Sequence, residues 1–294
     1  MASSIDKPTV YTHKKALIEL HLAAILFGGA GLFAEFITIS AGGIVLGRAL
    51  IAAVFIAVVH FLVRPILVLP KSKKDRIQFV VLGFILALHW VSFFVCIQMT
   101  TVAIGVLTFS SFPIFTILLV ALMNKRLPSN TNILLSLVAL FGIGLLLNPT
   151  ELQTSNVVGV LVGIFSGFTC AILTIYSQRL LENYSGVQVA FYQNGIAALF
   201  LVPFYSYDII ANTTGVEYLY FLFLGIALTA IAHTLFINSM ERVSPQTASL
   251  VASLEPVYGI VLAWLLLHQV PTWSVVIGGV LILGVAFVAS MPRE

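Results

Sequence analysis

The 294-residue chain is 60% hydrophobic, 9% charged and carries a formal net charge of +3, with a mean hydropathy of +1.09. Soluble domains carry about 25% charged residues, so this chain lacks the polar surface to enclose a water-facing core. Its small positive charge bears on membrane orientation, not on nucleic acid. The expected fold class is an all-α integral membrane protein.

Residues 1–16 read as a cytoplasmic tail. The apolar segment that follows has no small-residue cleavage site, which points to a retained tail and not to a signal peptide. Stretches of about 20 apolar residues span a hydrocarbon core. Ten follow: Leu17 to Ile39, Gly43 to Val63, Ile77 to Gln98, Val102 to Met123, Ile133 to Leu147, Val157 to Arg179, Val187 to Tyr205, Tyr218 to Asn238, Gln246 to Leu266 and Trp273 to Met291. Several loops are so short that consecutive helices become antiparallel neighbours. Cys96 and Cys170 fall inside spans at a spacing that fits no zinc or redox pattern, so they read as packed thiols without a disulfide.

Lys and Arg accumulate in cytoplasmic loops. With the N-terminus inside, thirteen of the fourteen basic residues fall on the inner side, among them Lys73, Lys74, Arg76, Arg179, Arg242 and Arg293. The outer loops hold Glu151, Asp208, Glu217 and His268 but no Lys or Arg, and Arg48 lies within the second span. Both termini are therefore expected in the cytoplasm of a cell (inner) membrane protein.

The chain is a tandem duplication. Pro113 and Pro256, Pro128 and Pro271, and Gly43 and Gly186 share one offset of 143 residues, and LGFILALHWVSFF from Leu82 resembles LGIALTAIAHTLFI from Leu224, bringing His89 opposite His233. Five spans per copy is an odd number, so residues 17–148 and 157–291 are expected as two inverted repeats. Substrate sites of such architectures lie near the midplane between the halves.

The run EPVYGIVLAWLLLHQVPTWSVVIGGVLILGVAFVA from Glu255, with SFPIFTILLVALMNKRL from Ser111 and GRALIAAVF from Gly47, resembles the EamA family of the drug/metabolite transporter superfamily over nearly the whole chain. The resemblance implies a ten-helix exporter or carrier of small metabolites, amino acids prominent among them. One feature departs from the family pattern. A Gly-Glu pair usually follows the fourth helix of each repeat; here Asn124-Lys125 and His268-Gln269 stand instead.

Depth along the helices, at about 1.5 Å per residue, puts Ser110, Ser111 and Pro113 near the midplane in span four, Glu255, Pro256 and Tyr258 in span nine, and His89 and Trp90 in span three. Each proline frees a backbone carbonyl one turn earlier, for a polar substrate or water, or for a kink that Ser and Thr side chains satisfy. A charged residue near the bilayer centre costs about 2.5–3.5 kcal/mol on insertion scales. Glu255 can therefore bind a substrate amine, carry a coupling proton, or sit as a neutral acid hydrogen-bonded in the core; Phe112 takes its place in the first repeat. Glu35 and Arg48 flank the first outer turn at matched depth and can form a structural ion pair. Alternatively Arg48, whose place resembles a recurrent family arginine, holds a substrate carboxylate. The 143-residue offset pairs them with Gln178 and Phe191, so the charges are not repeated. His89 and His233 can relay protons or simply hydrogen-bond to neighbouring backbone. Tyr192, with Tyr176, Gln193 and Asn194, is a further candidate for the cavity wall. Trp90, Phe93, Phe94, Phe109 and Tyr258 would suit an apolar side chain.

Gly159, Gly163 and Gly167 form two GxxxG steps, read as packing within the fold. The partners implied are a small, zwitterionic substrate and the lipid bilayer, with no nucleic acid, metal or cofactor. An integral-membrane enzyme would need a constellation of catalytic groups that these scattered residues do not supply. A non-transporting scaffold or regulatory protein, and a passive metabolite channel, are the alternatives. There is no ATP-binding motif, so uphill transport would draw on a gradient.

Overall fold

The structure, a computed structural model, describes residues 13–63, 69–70, 72–125, 130–146 and 154–290. Most of the expected tail, Arg64, Lys71, Arg126, Pro128, Glu151, Arg293, and the span ends Leu147 and Met291 lie outside the described residues.

Among the described residues the regular structure is helical: α1 (His13–Ala30), α2 (Phe33–Phe36), α3 (Ala41–Val63), α4 (Lys73–Met99), α5 (Val102–Phe109), α6 (Phe112–Met123), α7 (Asn130–Leu146), α8 (Thr154–Leu180), α9 (Gly186–Asn212), α10 (Gly215–Gly225), α11 (Ala232–Ser239), α12 (Pro245–Ala252), α13 (Glu255–Leu267) and α14 (Trp273–Ser290). A π-helical turn, Ile226–Ile231, joins α10 to α11. Seven stretches are long and apolar enough to cross a membrane: His13–Phe36, Ala41–Val63, Lys73–Met99, Val102–Met123, Asn156–Leu180, Gly186–Asn212 and Gly215–Ser239. Shorter apolar helices follow at Glu255–Leu267 and Trp273–Val285. The chain is thus a multi-pass membrane protein, as hydrocarbon demands of helices that satisfy their own backbone.

Side chains cap several helix starts. Ser72 accepts from the Asp75 N–H at 3.0 Å, Thr101 from Ile104 at 3.2 Å, and Ser185 with Gln188 forms a reciprocal capping box. Apolar side chains face outward along the spans, Leu62, Phe204, Ile210 and Trp273 among the most exposed. The interior instead uses small residues for close approach.

Helix pairing follows a repeating scheme. The pairs are α3 with α9, α7 with α14, α4 with α8, α1 with α11, α6 with α8, and α1 with α13. Two long helices are broken at corresponding points, α5 from α6 at Ser110-Ser111 and α12 from α13 at Ser253-Leu254, with Pro113 and Pro256 each second in the helix that follows. In each case a glycine of another helix presses on the break. A methyl on Gly167 of α8 would lie 2.7 Å from Ser111 Oγ and 2.8 Å from the Phe109 carbonyl oxygen; one on Gly28 of α1 would lie 2.6 Å from Tyr258 Cβ. The Gly159, Gly163, Gly167 stripe is thus spent on intramolecular packing, against Thr100, Thr108 and Ser111.

The cost of filling that gap is measurable. Gly167→Ala is expected to destabilise by about 1–3 kcal/mol, because the Phe109 backbone must move. The readout is the thermal unfolding midpoint in detergent. Gly284→Ala, with open space around its Cβ, is expected to leave the midpoint unchanged.

Candidate functional site

A small cavity of about 70 Å³ lies where α1, α3, α4, α8, α9 and α11 meet the two broken helices. Its polar wall is Arg48, His89, Ser177, Gln193, His233 and Glu255, and Trp90, Phe93, Phe109 and Phe112 give it an aromatic side. Phe109 and Ala252, also in the wall, stand four residues before Pro113 and Pro256. Those are the residues whose carbonyls a helical N–H would have taken had proline not removed it.

Arg48 is 2% exposed and is one of the largest fully buried side chains. Its Nε donates to Thr229 Oγ1 at 2.9 Å and Nη2 to the Leu228 carbonyl at 3.3 Å. Both acceptors belong to the π-helical turn, whose widened register presents them to α3. The Thr229 hydroxyl donates in turn to the Leu224 carbonyl at 2.7 Å. The guanidinium lies over the Trp90 ring, 4.3 Å from its centroid, and 5.5 Å from that of Phe94, a stacked arrangement that spreads a buried cation over π faces. A guanidinium has five N–H donors; the two bonds above leave three without a partner among the described residues.

Glu255, 6% exposed, opens α13 and turns into the same cavity. It closes no ion pair with Arg48; among the described residues the ion pair formed is Lys15 with Glu19, at 3.9 Å.

The two histidines hold opposite tautomers, as their partners dictate. His89 Nδ1 donates to Ser166, to its carbonyl at 3.1 Å and to Oγ at 2.8 Å, since the Ser166 hydroxyl is committed to the His89 carbonyl at 3.0 Å. His233 Nδ1 accepts from Asn194 Nδ2 at 3.0 Å, which puts the proton of a neutral ring on Nε2. Gln193 donates to Ser177 Oγ at 2.8 Å, but its Oε1 is buried without a partner, as is Asn194 Oδ1. A buried acceptor left bare carries a desolvation cost until something donates to it.

Several expected site residues stand elsewhere. Ser110 and Ser111 are buried in the α5–α6 break, where their hydroxyls donate to the Val106 and Thr108 carbonyls at 2.8 Å each, so they repair the kink. Tyr192 lies in a separate apolar groove beside Phe79, ring centroids 4.8 Å apart. Tyr258 is packed under Gly28. Glu35 does not face Arg48 as expected: it sits in α2 and accepts from Gln269 Nε2 at 3.1 Å, while Arg48 is taken by the π-helical turn. For α3 and α9 the offset, residue 185 less residue 40, is 145 residues and not 143, while the two breaks keep 143. Ser40 and Ser185 cap α3 and α9, and counted from these caps the counterpart of Arg48 is Gln193, not Phe191. Both face the cavity. The π-helical turn escaped the sequence reading because IALTAI has no periodicity that separates it from an α-helix.

Residues 157–291 match the family model of EamA-like transporters. The second half of the chain thus carries an EamA-like transporter domain. An uncharacterized transporter of Bacillus subtilis is 24% identical over 87% of this chain and 83% of its own length. One from Archaeoglobus fulgidus is 28% identical, covering 91% and 93%. An uncharacterized inner membrane transporter of Salmonella typhimurium is 26% identical, covering 95% and 96%. A solved crystal structure shares the fold with a TM-score of 0.70 at 18% identity, over 94% of this chain and 98% of that one.

The Arg48–Thr229 bond joins α3 to the turn before α11. Thr229→Val, which keeps the shape and removes the acceptor, is expected to cost about 1.5–3 kcal/mol, the value of a hydrogen bond to a charged group. Thr229→Ser is expected to retain it. Thermal unfolding of both variants in detergent checks this.

Proposed function

We propose that this protein is a secondary transporter of a small zwitterionic metabolite, an amino acid or a close relative. In this reading ten spans form two inverted five-helix repeats, residues 17–148 and 157–291, which rock about the central cavity with both termini in the cytoplasm. The carrying observation is that Arg48 and Glu255 are both buried in one cavity wall without pairing. The two groups act on each other only at a distance, beyond ion-pair contact, which leaves buried charge poorly compensated; a ligand with a carboxylate and an ammonium gives each a direct partner. Arg48 has donors to spare for the carboxylate; Glu255, with the bare Gln193 Oε1 beside the same cavity, supplies acceptors for the ammonium. The aromatic wall of Trp90, Phe93 and Phe109 takes an apolar side chain.

The packing scheme supports the inverted repeat. Exchanging α1 with α8, α3 with α9, α4 with α10–α11, α5–α6 with α12–α13, and α7 with α14 turns the α4–α8 contact into α11–α1, and α6–α8 into α13–α1. Charge supports the orientation. Among the described residues Lys73, Lys74, Arg76, Arg179 and Arg242 share one end of the bundle, while Glu35, Asp208 and Glu217 share the other, which carries no Lys or Arg.

Counterflow in proteoliposomes with a panel of labelled amino acids tests the function. Saturable exchange of one zwitterion is expected in the wild type, reduced at least roughly a hundredfold in Arg48→Ala and in Glu255→Gln, since each loses a charge-assisted contact worth about 3 kcal/mol. Full exchange in Glu255→Gln would remove the ammonium assignment. No exchange of any panel member by folded protein would overturn the substrate class.

A further inference from the structure

Two acidic residues, one at each end of the bundle, do the same unusual thing. Glu217 is the third residue of α10 and Asp75 the third of α4, equivalent helices under the exchange described above. Each carboxylate sits at a helix start: Thr214 donates to Glu217 Oε2 through its N–H at 2.6 Å and its hydroxyl at 2.8 Å, while Ser72, which accepts from the Asp75 backbone N–H at 3.0 Å, is also a hydrogen-bond partner of the Asp75 carboxylate. Each also reaches across to the hairpin that precedes the second span of the other half. Thr38, two positions before the cap of α3, donates to Glu217 Oε1 through its N–H at 2.6 Å and its hydroxyl at 2.9 Å. Tyr184, one position before the cap of α9, donates through its hydroxyl to Asp75 Oδ2 at 2.7 Å. Glu217 is only 2% exposed although it stands at a helix end.

We propose that Glu217 and Asp75 are paired latches, each closing one end of the central cavity by holding its own helix start against the opposite hairpin. The inference rests on the alternating-access reading above and adds what holds each state shut. A capping carboxylate suits the task because its charge stays solvated by the helix N-terminus when the hairpin leaves. Opening then breaks hydrogen bonds without stranding a bare charge, and the reverse step finds the acceptor still in place.

The two latches are unequal in this structure. At the Glu217 end the same hairpin is tied twice more, by Asp208 Oδ2, which accepts from the Ser40 N–H at 3.1 Å and from its hydroxyl, and nearby Gln269 reaches Glu35. The Asp75 end has one bond across the halves on its carboxylate, from the Tyr184 hydroxyl. Beside it are two longer contacts, Gln78 Nε2 to the Tyr176 carbonyl at 3.5 Å and His13 Nδ1 with the Arg242 carbonyl at 3.3 Å. A polar groove of about 370 Å³ opens there beside Gln178, Arg179, Glu182 and Arg242. The structure is therefore shut more firmly at the Glu217 end than at the basic end.

Native Cys170 reports the outcome, because it lines the cavity and needs no substrate. In a Cys96→Ala background, its rate of modification by a membrane-impermeant methanethiosulfonate is measured from each face of sealed vesicles. Thr38→Val removes one latch bond and leaves the α10 cap whole; Tyr184→Phe does so for α4. Loss of one hydrogen bond to a charged acceptor shifts a two-state equilibrium by roughly tenfold. The expected result is a roughly tenfold faster reaction from the Glu217 face in Thr38→Val, and from the Asp75 face in Tyr184→Phe. Equal acceleration from both faces, acceleration of both variants from one face, or no change in either overturns the latches. The substrate reading stands apart: side-specific labelling without exchange of any zwitterion leaves the latches and removes the substrate, whereas exchange with unchanged labelling does the reverse.

Discussion

Burying Arg48 constrains more of this structure than any other single group. A guanidinium inside an apolar bundle must find acceptors and polarisable surface or it will not fold there. It finds the Thr229 hydroxyl and Leu228 carbonyl in the π-helical turn, and the faces of Trp90 and Phe94. That requirement gives the irregular turn a reason to exist: a regular α-helix holds its carbonyls along its own axis, and the wider register turns one toward α3. Because α3 and the turn belong to different halves, the bond that houses the charge also fixes how the halves meet.

Proline makes a second constraint of the same kind. Pro113 and Pro256 break their helices at equivalent depth, and hydrocarbon permits a break only where protein covers it. In the first half Ser110 and Ser111 satisfy carbonyls and Gly167 seals the gap; in the second, Gly28 closes over Tyr258 and the Glu255 backbone. The breaks consume their serines for repair, which is why residues that looked like binding groups by depth alone are absent from the cavity wall.

What the sequence revealed follows from which forces leave a linear trace. Apolar length accumulates over many residues, so the membrane class and the apolar helices could be read directly, seven of them long enough to cross a membrane. Arg48, Glu255, His89 and His233 were legible for a related reason: an ionisable residue in an apolar span must be housed. The partners were not. Glu35 looked like the mate of Arg48 because matched depth says nothing about which way a helix face turns, and a one-residue widening in α10–α11 leaves no compositional mark. The register error that paired Arg48 with Phe191 arose from trusting glycine offsets, whereas Ser40 and Ser185 fix the helix starts through actual hydrogen bonds.

That correction changes what the symmetry means. The frame keeps its two-fold character in helix pairing, in the two breaks and in the capping acids Asp75 and Glu217. The cavity positions do not: Arg48 faces Gln193 across the exchange, and Glu255 replaces Phe112. In the proposed alternating-access cycle, a symmetric frame would let the two end-closed arrangements have similar energies, so that a few hydrogen bonds decide between them. An asymmetric cavity makes one ligand orientation better than its reverse, since a donor-rich cation and bare acceptors cannot exchange roles. On the proposed reading, the division gives movement to the repeated residues and recognition to the unrepeated ones, so that a change of substrate would have to alter the residues that break the repeat.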